Sequence, residues 1–216
     1  MAYHDGHSPS LGAKITLLLL TLAGLIFSLN LLLKNQQADQ YRAYLLLTCA
    51  IVFYVRLAFC LLVFVKRKVS WFEGCAVGIL YGVLVYMFSL WGSLAPAKAC
   101  VIDFIGIVVF VVGSWVNSQA DYQRYVWKKK HENTGHLYTK GLFKYAMHIN
   151  FFGDTVMFVG YALVTQNFMS FIPVVAIFLN FIFVQIPRLD DYLEQRYGKE
   201  FIGYARHTKK LIPFIF

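Results

Sequence analysis

Long apolar blocks alternate with short polar segments along most of this chain. Because a helix needs about 20 apolar residues to cross a bilayer, the pattern predicts about six membrane-spanning helices. The predicted spans cover approximately residues 11–33, 43–65, 75–94, 99–116, 151–165 and 168–186. Pro187 is predicted to end the sixth span. Two long polar segments remain, an internal stretch over 117–154 and a tail over 188–216.

The sequence therefore predicts an all-α fold, a polytopic bundle of about six spans. A polar N-terminal tail over residues 1–10 is expected to precede one membrane domain over 11–216. Only 14% of the residues are charged, whereas soluble domains have about 25%. The chain nevertheless carries a net charge of +9. Since the basic residues lie in loops between apolar blocks, we expect them to meet lipid headgroups, with no nucleic acid as a partner.

An even number of spans places both termini and both long polar segments on the same side of the membrane. That side holds most of the basic residues, and the other side has only Lys34, Arg42 and Lys98. Basic loops face the cytosol or, in a mitochondrion, the matrix. We therefore expect both termini on the cytosol or matrix side, in the endoplasmic reticulum or the mitochondrial inner membrane.

Several polar residues stand at positions where chemistry is expected. Arg56 lies inside the second span, where a charge is costly and usually faces a cavity or a partner. Asn117 and Asp121 share one face of a helix that leaves the membrane, in a pattern also typical of an amphipathic helix at the headgroups. Asn150 and Asp154 begin the fifth span, where helix capping alone would explain them. Histidine spacing indicates no metal site.

The order NxxxD, a basic run, GLFxY, NFxG-acid, a YLxxxYG-type tail and LIPFIF resembles the steroid 5α-reductase family over residues 56–216. The resemblance implies a helical membrane enzyme with an NADPH pocket that reduces an enone double bond in a lipid or steroid. The family's cofactor-binding positions correspond here to Arg56, Asn117, Asp121, Lys128, Asn150, Asp154 and Tyr192. At Lys128 the animal enzymes have an arginine. A weaker resemblance links the chain to isoprenylcysteine and phospholipid methyltransferases.

Some family positions are altered. The common RHPNYFGE element reads MHINFFGD, and the tyrosine that activates the enone falls at Phe53. The adjacent Tyr54 is the remaining catalytic candidate. No early glutamate partner is present, since the first glutamate is Glu73. The alternative interpretation is therefore a catalytically degenerate family member that serves as an accessory subunit of a membrane complex, for example in the mitochondrial inner membrane.

Overall fold

The computed structural model describes residues 10–35, 39–95, 98 and 100–216, and these residues form helices joined by loops, of which the one between residues 129 and 148 is long. The predicted tail over residues 1–10 lies almost entirely outside the described residues. The helices are α1 Leu11–Lys34, α2 Gln40–Phe59, α3 Trp71–Ser93, α4 Val101–Lys128, α5 Ile149–Thr165, α6 Phe171–Asn180, α7 Ile186–Tyr197 and α8 Lys199–His207. A π-helical turn, Cys60–Phe64, extends α2, and another, Phe181–Gln185, joins α6 to α7.

The polytopic all-α prediction is confirmed. Five helical stretches in the described part of the chain are long and apolar enough to cross a membrane, namely α1, α2 with its π-helical turn, α3, α4 and the continuous segment Phe168–Tyr197. The shorter apolar helix α5 accounts for the remaining predicted span. The chain is thus an integral membrane protein with about six spans.

The helix of the fourth span continues beyond residue 116, as the shared face of Asn117 and Asp121 predicted. It ends at Lys128 and carries both residues in its buried face. One predicted boundary was wrong. Pro187 does not end the sixth span, because it lies in the first turn of α7, directly after the π-helical turn. A proline is tolerated there, since the first N–H groups of a helical segment need no partner within it.

Glycines bring two pairs of helices into close contact. In the α1–α3 pair, a Cβ atom at Gly82 would lie 2.7 Å from the Leu20 carbonyl oxygen. In the α4–α5 pair, a Cβ atom at Gly153 would lie 2.5 Å from the backbone nitrogen of Asn117. Small residues allow membrane helices to pack at such short distances. Helix α2 contacts members of both pairs, and their shared apolar core includes Phe53.

A buried ion pair fastens the end of the bundle that is remote from the polar stretch. Arg42 Nε lies 3.1 Å from Asp103 Oδ1, and the two side chains are only 1% and 2% exposed. Arg42 also donates to the Lys98 carbonyl oxygen, and Gln166 donates to Asp103. These contacts tie the beginnings of α2 and α4 to the end of α5.

Candidate functional site

Arg56 connects three helices inside the bundle. Its Nη2 atom donates to Asp154 Oδ1 on α5 over 2.8 Å, and its Nη1 atom donates to Asn117 Oδ1 on α4. Asn117 Nδ2 in turn donates to the Asn150 carbonyl oxygen over 3.0 Å. The structure thus brings together four of the residues that the sequence analysis selected. Since Arg56 and Asp154 neutralise each other, the charge is tolerated at this depth.

The glycine contact between α4 and α5 explains why these side chains meet. Gly153 lies directly against the backbone of Asn117, so the neighbouring turns of the two helices face each other. Asn150 and Asp154 are four residues apart and project from one face of α5. Helix α5 begins at Ile149 with His148 as its N-cap, so Asn150 does not cap it. The amide oxygen Oδ1 of Asn150 is buried and has no hydrogen-bond partner in the described part of the chain.

Asp121 forms a second polar centre one turn further along α4. Its carboxylate accepts a hydrogen bond from Arg124 Nη2 at 2.6 Å and one from the Cys60 thiol at 3.5 Å. Asp121 is only 5% exposed. Cys60 begins the π-helical turn at the end of α2, so this centre also connects α2 to α4. Sequence reasoning did not select Cys60, because its pairing with Asp121 joins residues 61 positions apart.

Lys128 and Tyr192 belong to a separate basic and aromatic cluster at the end of α4. The Lys128 Nζ atom lies 3.4 Å from the Tyr197 hydroxyl oxygen, and Arg196 Nη1 donates to the Tyr192 hydroxyl. The Arg196 guanidinium also lies over the rings of both tyrosines. Lys128 is seven residues beyond Asp121, which is about 10 Å along a helix. The structure therefore places this cluster beyond the Arg56 network, on the same side of the bundle.

Tyr54 on α2 and Tyr81 on α3 are two tyrosines of the membrane bundle that pack in different surroundings. Tyr54 is half-buried against an apolar cluster that includes Leu17 of α1. The ring of Tyr81 meets the ring of Phe53 edge to face, with centroids 5.3 Å apart. It also packs near the ring of Phe158, which lies one turn after Asp154 on α5. Sequence reasoning missed Tyr81 because one tyrosine in an apolar span is typical of packing.

The polar tail is held by a buried histidine. His148 Nε2 lies 2.8 Å from Asp190 Oδ1, and Lys210 Nζ lies 3.2 Å from Asp190 Oδ2. The backbone N–H groups of Met147 and His148 donate to the carbonyl oxygens of Lys209 and Lys210. His148 is only 1% exposed. These contacts fix the tail against the beginning of α5 and give His148 a structural role.

The donors and acceptors at the site fit the groups of a nicotinamide dinucleotide. The unpartnered Asn150 oxygen needs an N–H donor, which a carboxamide supplies. The Asp121 carboxylate can accept from ribose hydroxyl groups, and the cluster around Lys128 and Arg196 has the positive charge that phosphates require. Within the described residues no group of three or more His, Cys, Asp or Glu side chains could hold a metal ion.

About half of this chain is similar in sequence to known steroid reductases. The chain is 33% identical over 113 residues to 3-oxo-5-alpha-steroid 4-dehydrogenase 2 of Macaca fascicularis and 31% identical over 113 residues to that of Homo sapiens. It is 31% identical over 115 residues to the steroid 5-alpha-reductase DET2 of Gossypium hirsutum. The matches include about half of this chain and span 42% of the length of each relative.

The fold is that of an integral membrane protein, and about half of the chain is similar in sequence to steroid 5α-reductases, the family that the motif order resembles. A family model described as "Protein of unknown function (DUF1295)" matches residues 66–208. This range is more than half of the chain, and the protein belongs to the DUF1295 family.

Proposed function

We propose that this protein is an NADPH-dependent reductase that acts on the carbon–carbon double bond of an enone in a membrane lipid or steroid. The observation that carries the proposal is the convergence of Arg56, Asn117 and Asp154 beside the unpartnered amide oxygen of Asn150. The relationship to steroid 5α-reductases supports an oxidoreductase of this general class.

In this proposal the residues of the network hold the cofactor. Asn150 and Asn117 bind the carboxamide, and Asp121 binds a ribose. Lys128 and Tyr192, at the basic end of α4 and α7, bind the phosphates. Bound NADPH supplies a hydride for the β-carbon of the enone. The protein orients the reacting groups and keeps water away from them.

The protein must also stabilise the charge that develops on the enone oxygen, a task for preorganised hydrogen-bond donors. Tyr54 remains the candidate that follows from the resemblance. The position of Tyr81, whose ring packs against Phe53 on α2 and near Phe158 on α5, supports it as a second candidate. Both are phenols that can donate a proton.

A specific observation favours the alternative function as an accessory subunit of a membrane complex. The charges of the site already pair with each other, Arg56 with Asp154 and Arg124 with Asp121. Such a network can serve as a structural link between helices without a cofactor. A bound cofactor would have to replace some of the contacts that Arg56 makes with Asp154 and Asn117, whereas an accessory subunit would keep those contacts.

The proposed location is the endoplasmic reticulum or the mitochondrial inner membrane. Both long polar segments lie at the end of the bundle that contains Asp121, and the Arg42–Asp103 pair lies at the other end. The excess of basic residues at the first end supports an orientation towards the cytosol or matrix.

The test of the proposed function is NADPH binding to the purified full-length protein in detergent. We expect micromolar binding that is lost in Asp121→Ala and in Asn150→Ala. Asn30→Ala is the matched control, because Asn30 is exposed on α1 and its side chain donates to the Ile26 carbonyl oxygen of its own helix. No binding at millimolar NADPH by a monodisperse protein would overturn the reductase and favour the accessory subunit.

A further inference from the structure

Two basic triplets meet at the end of the bundle that carries the polar stretch. Residues 66–68 follow the π-helical turn of α2, and residues 128–130 lie where α4 ends. Tyr125 on α4 connects the two triplets. The Lys129 Nζ atom lies 4.4 Å from the centroid of the Tyr125 ring, and the Lys66 Nζ atom lies 5.7 Å from the same centroid. Two ammonium groups therefore share one aromatic ring.

The pair formed by Lys66 and Lys129 keeps its positive charge available. Arg67, in the first triplet, is neutralised by Glu73, whose Oε2 atom lies 2.8 Å from Nη1. In the part of the chain that the structure describes, no carboxylate lies within ion-pair distance of Lys66 or Lys129. Both lysine side chains are exposed. Because like charges repel each other, an anion between the two ammonium groups would stabilise this arrangement.

A row of aromatic rings leads from the lysine pair to the lipid-facing surface. The Tyr125 ring lies 5.3 Å from the ring of Phe64 in the π-helical turn. The Phe64 ring lies 5.2 Å from the ring of Phe59 on α2. Phe59 is 55% exposed, and such an apolar side chain on a membrane helix faces lipid tails. Aromatic side chains are typical of the membrane interface, where one end of a site is apolar and the other is hydrated.

An apolar groove continues from this row towards the centre of the membrane. It opens between α2 and α4 on the outer surface of the bundle, has a volume of about 500 Å³ and includes Phe59, Val55 and Trp115 in its walls. Ile51, at its far end, is eight residues before Phe59, which is about 12 Å along a helix. The groove therefore has the direction and the chemistry to hold an acyl chain whose headgroup lies at the basic end.

We propose that the lysine pair, the ring row and the groove together bind one anionic phospholipid. Lys66 and Lys129 contact its headgroup, and the groove holds an acyl chain. Anionic lipids attract basic segments that lie next to a membrane helix. A soluble anion could use only the two lysines, whereas the continuity of charge, rings and groove matches an amphiphile. The inference goes beyond the proposed reductase and uses no residue of the proposed cofactor site.

The experiment is native mass spectrometry of the delipidated full-length protein in detergent, titrated with phosphatidylserine or with phosphatidylcholine of the same acyl chains. We expect the first phosphatidylserine to bind more tightly than phosphatidylcholine. Lys66→Gln combined with Lys129→Gln should weaken phosphatidylserine binding about 10- to 30-fold, because each lysine near an anionic lipid surface contributes about 1 kcal/mol. Phosphatidylcholine binding should not change. Lys140→Gln combined with Lys144→Gln is the matched control, because it removes equal charge from exposed side chains of the polar stretch.

The groove is tested separately. Val55→Trp fills it and should weaken phosphatidylserine binding at least about threefold through steric exclusion. Val83→Trp is the control, because Val83 on α3 is 54% exposed and Val55 is 59% exposed. Equal losses in the two double-lysine variants would overturn the proposal, as would unchanged binding in Val55→Trp. Competition by soluble glycerophosphoserine as strong as that by the lipid would assign the lysine pair to a soluble anion and overturn the proposal as well.

Discussion

At the scale of single residues, Arg56 shows how one charge can organise a membrane bundle. It lies within an apolar helix, where an uncompensated charge would be strongly disfavoured. Its partners Asn117 and Asp154 come from positions 61 and 98 residues away. The sequence marks Arg56 as exceptional, but neither partner can be identified from the hydrophobic pattern, since the pairing depends on how three helices pack. The family resemblance grouped Asn117 and Asp154 with Arg56 as cofactor-binding positions, which hydrophobic periodicity could not do.

We therefore predict a large stability loss in Arg56→Ala. The change leaves the Asp154 carboxylate buried without its cation, which costs about 3–5 kcal/mol when an ion pair is buried. Arg67→Ala removes a half-exposed partner of Glu73 and should cost about 0–1 kcal/mol. Thermal unfolding in one detergent, followed by circular dichroism, measures both. Equal melting temperatures for the two variants would show that the Arg56 pair contributes no more than a surface ion pair.

At the scale of helices, the α4–α5 contact determines where the site forms. Gly153 has no room for a side chain, because a Cβ atom would lie 2.5 Å from the Asn117 backbone nitrogen. Hydropathy predicted that both helices exist, since their apolar blocks are long. Helical spacing placed Asn117 and Asp121 on one face of a helix that leaves the membrane, but it could not show that this face is buried. Hydropathy took Pro187 for a stop, because a preceding π-helical turn has no sequence signature.

Gly153→Ala should push α4 and α5 apart and destabilise the protein by about 1–3 kcal/mol, as overpacking does in cores. NADPH affinity should fall as well, because Asn117 and Asn150 separate. Gly203→Ala is the matched control, since the position is helical and a Cβ there would meet no atom within 4 Å among the described residues outside its own helical backbone and chain neighbours. Alanine is a better helix former than glycine, so this control should stabilise α8 by up to about 1 kcal/mol. A Gly153→Ala variant as stable as Gly203→Ala would mean that the two helices can separate at no cost.

At the scale of the whole molecule, the two ends of the bundle differ in chemistry. One end is closed by the buried Arg42–Asp103 pair, and the other carries the Arg56 network, the basic cluster and the tail held by His148. The sequence predicted this polarity because charge is distributed unevenly among the loops. It could not predict how the tail docks, because the contact of His148 with Asp190 joins residues 42 positions apart.

The orientation of the bundle in the membrane can be tested by labelling single-cysteine variants with an impermeant maleimide. Cys100 is exposed at the end that carries Arg42. Glu132→Cys introduces a thiol at a side chain that is 74% exposed in the basic stretch. In sealed microsomes, whose cytosolic face is outward, we expect rapid labelling of the introduced thiol and labelling of Cys100 only after detergent is added. In mitoplasts, whose matrix is enclosed, the order should reverse. Labelling of both thiols from one side would contradict the six-span arrangement, and the opposite order in either membrane would contradict the orientation of the basic end.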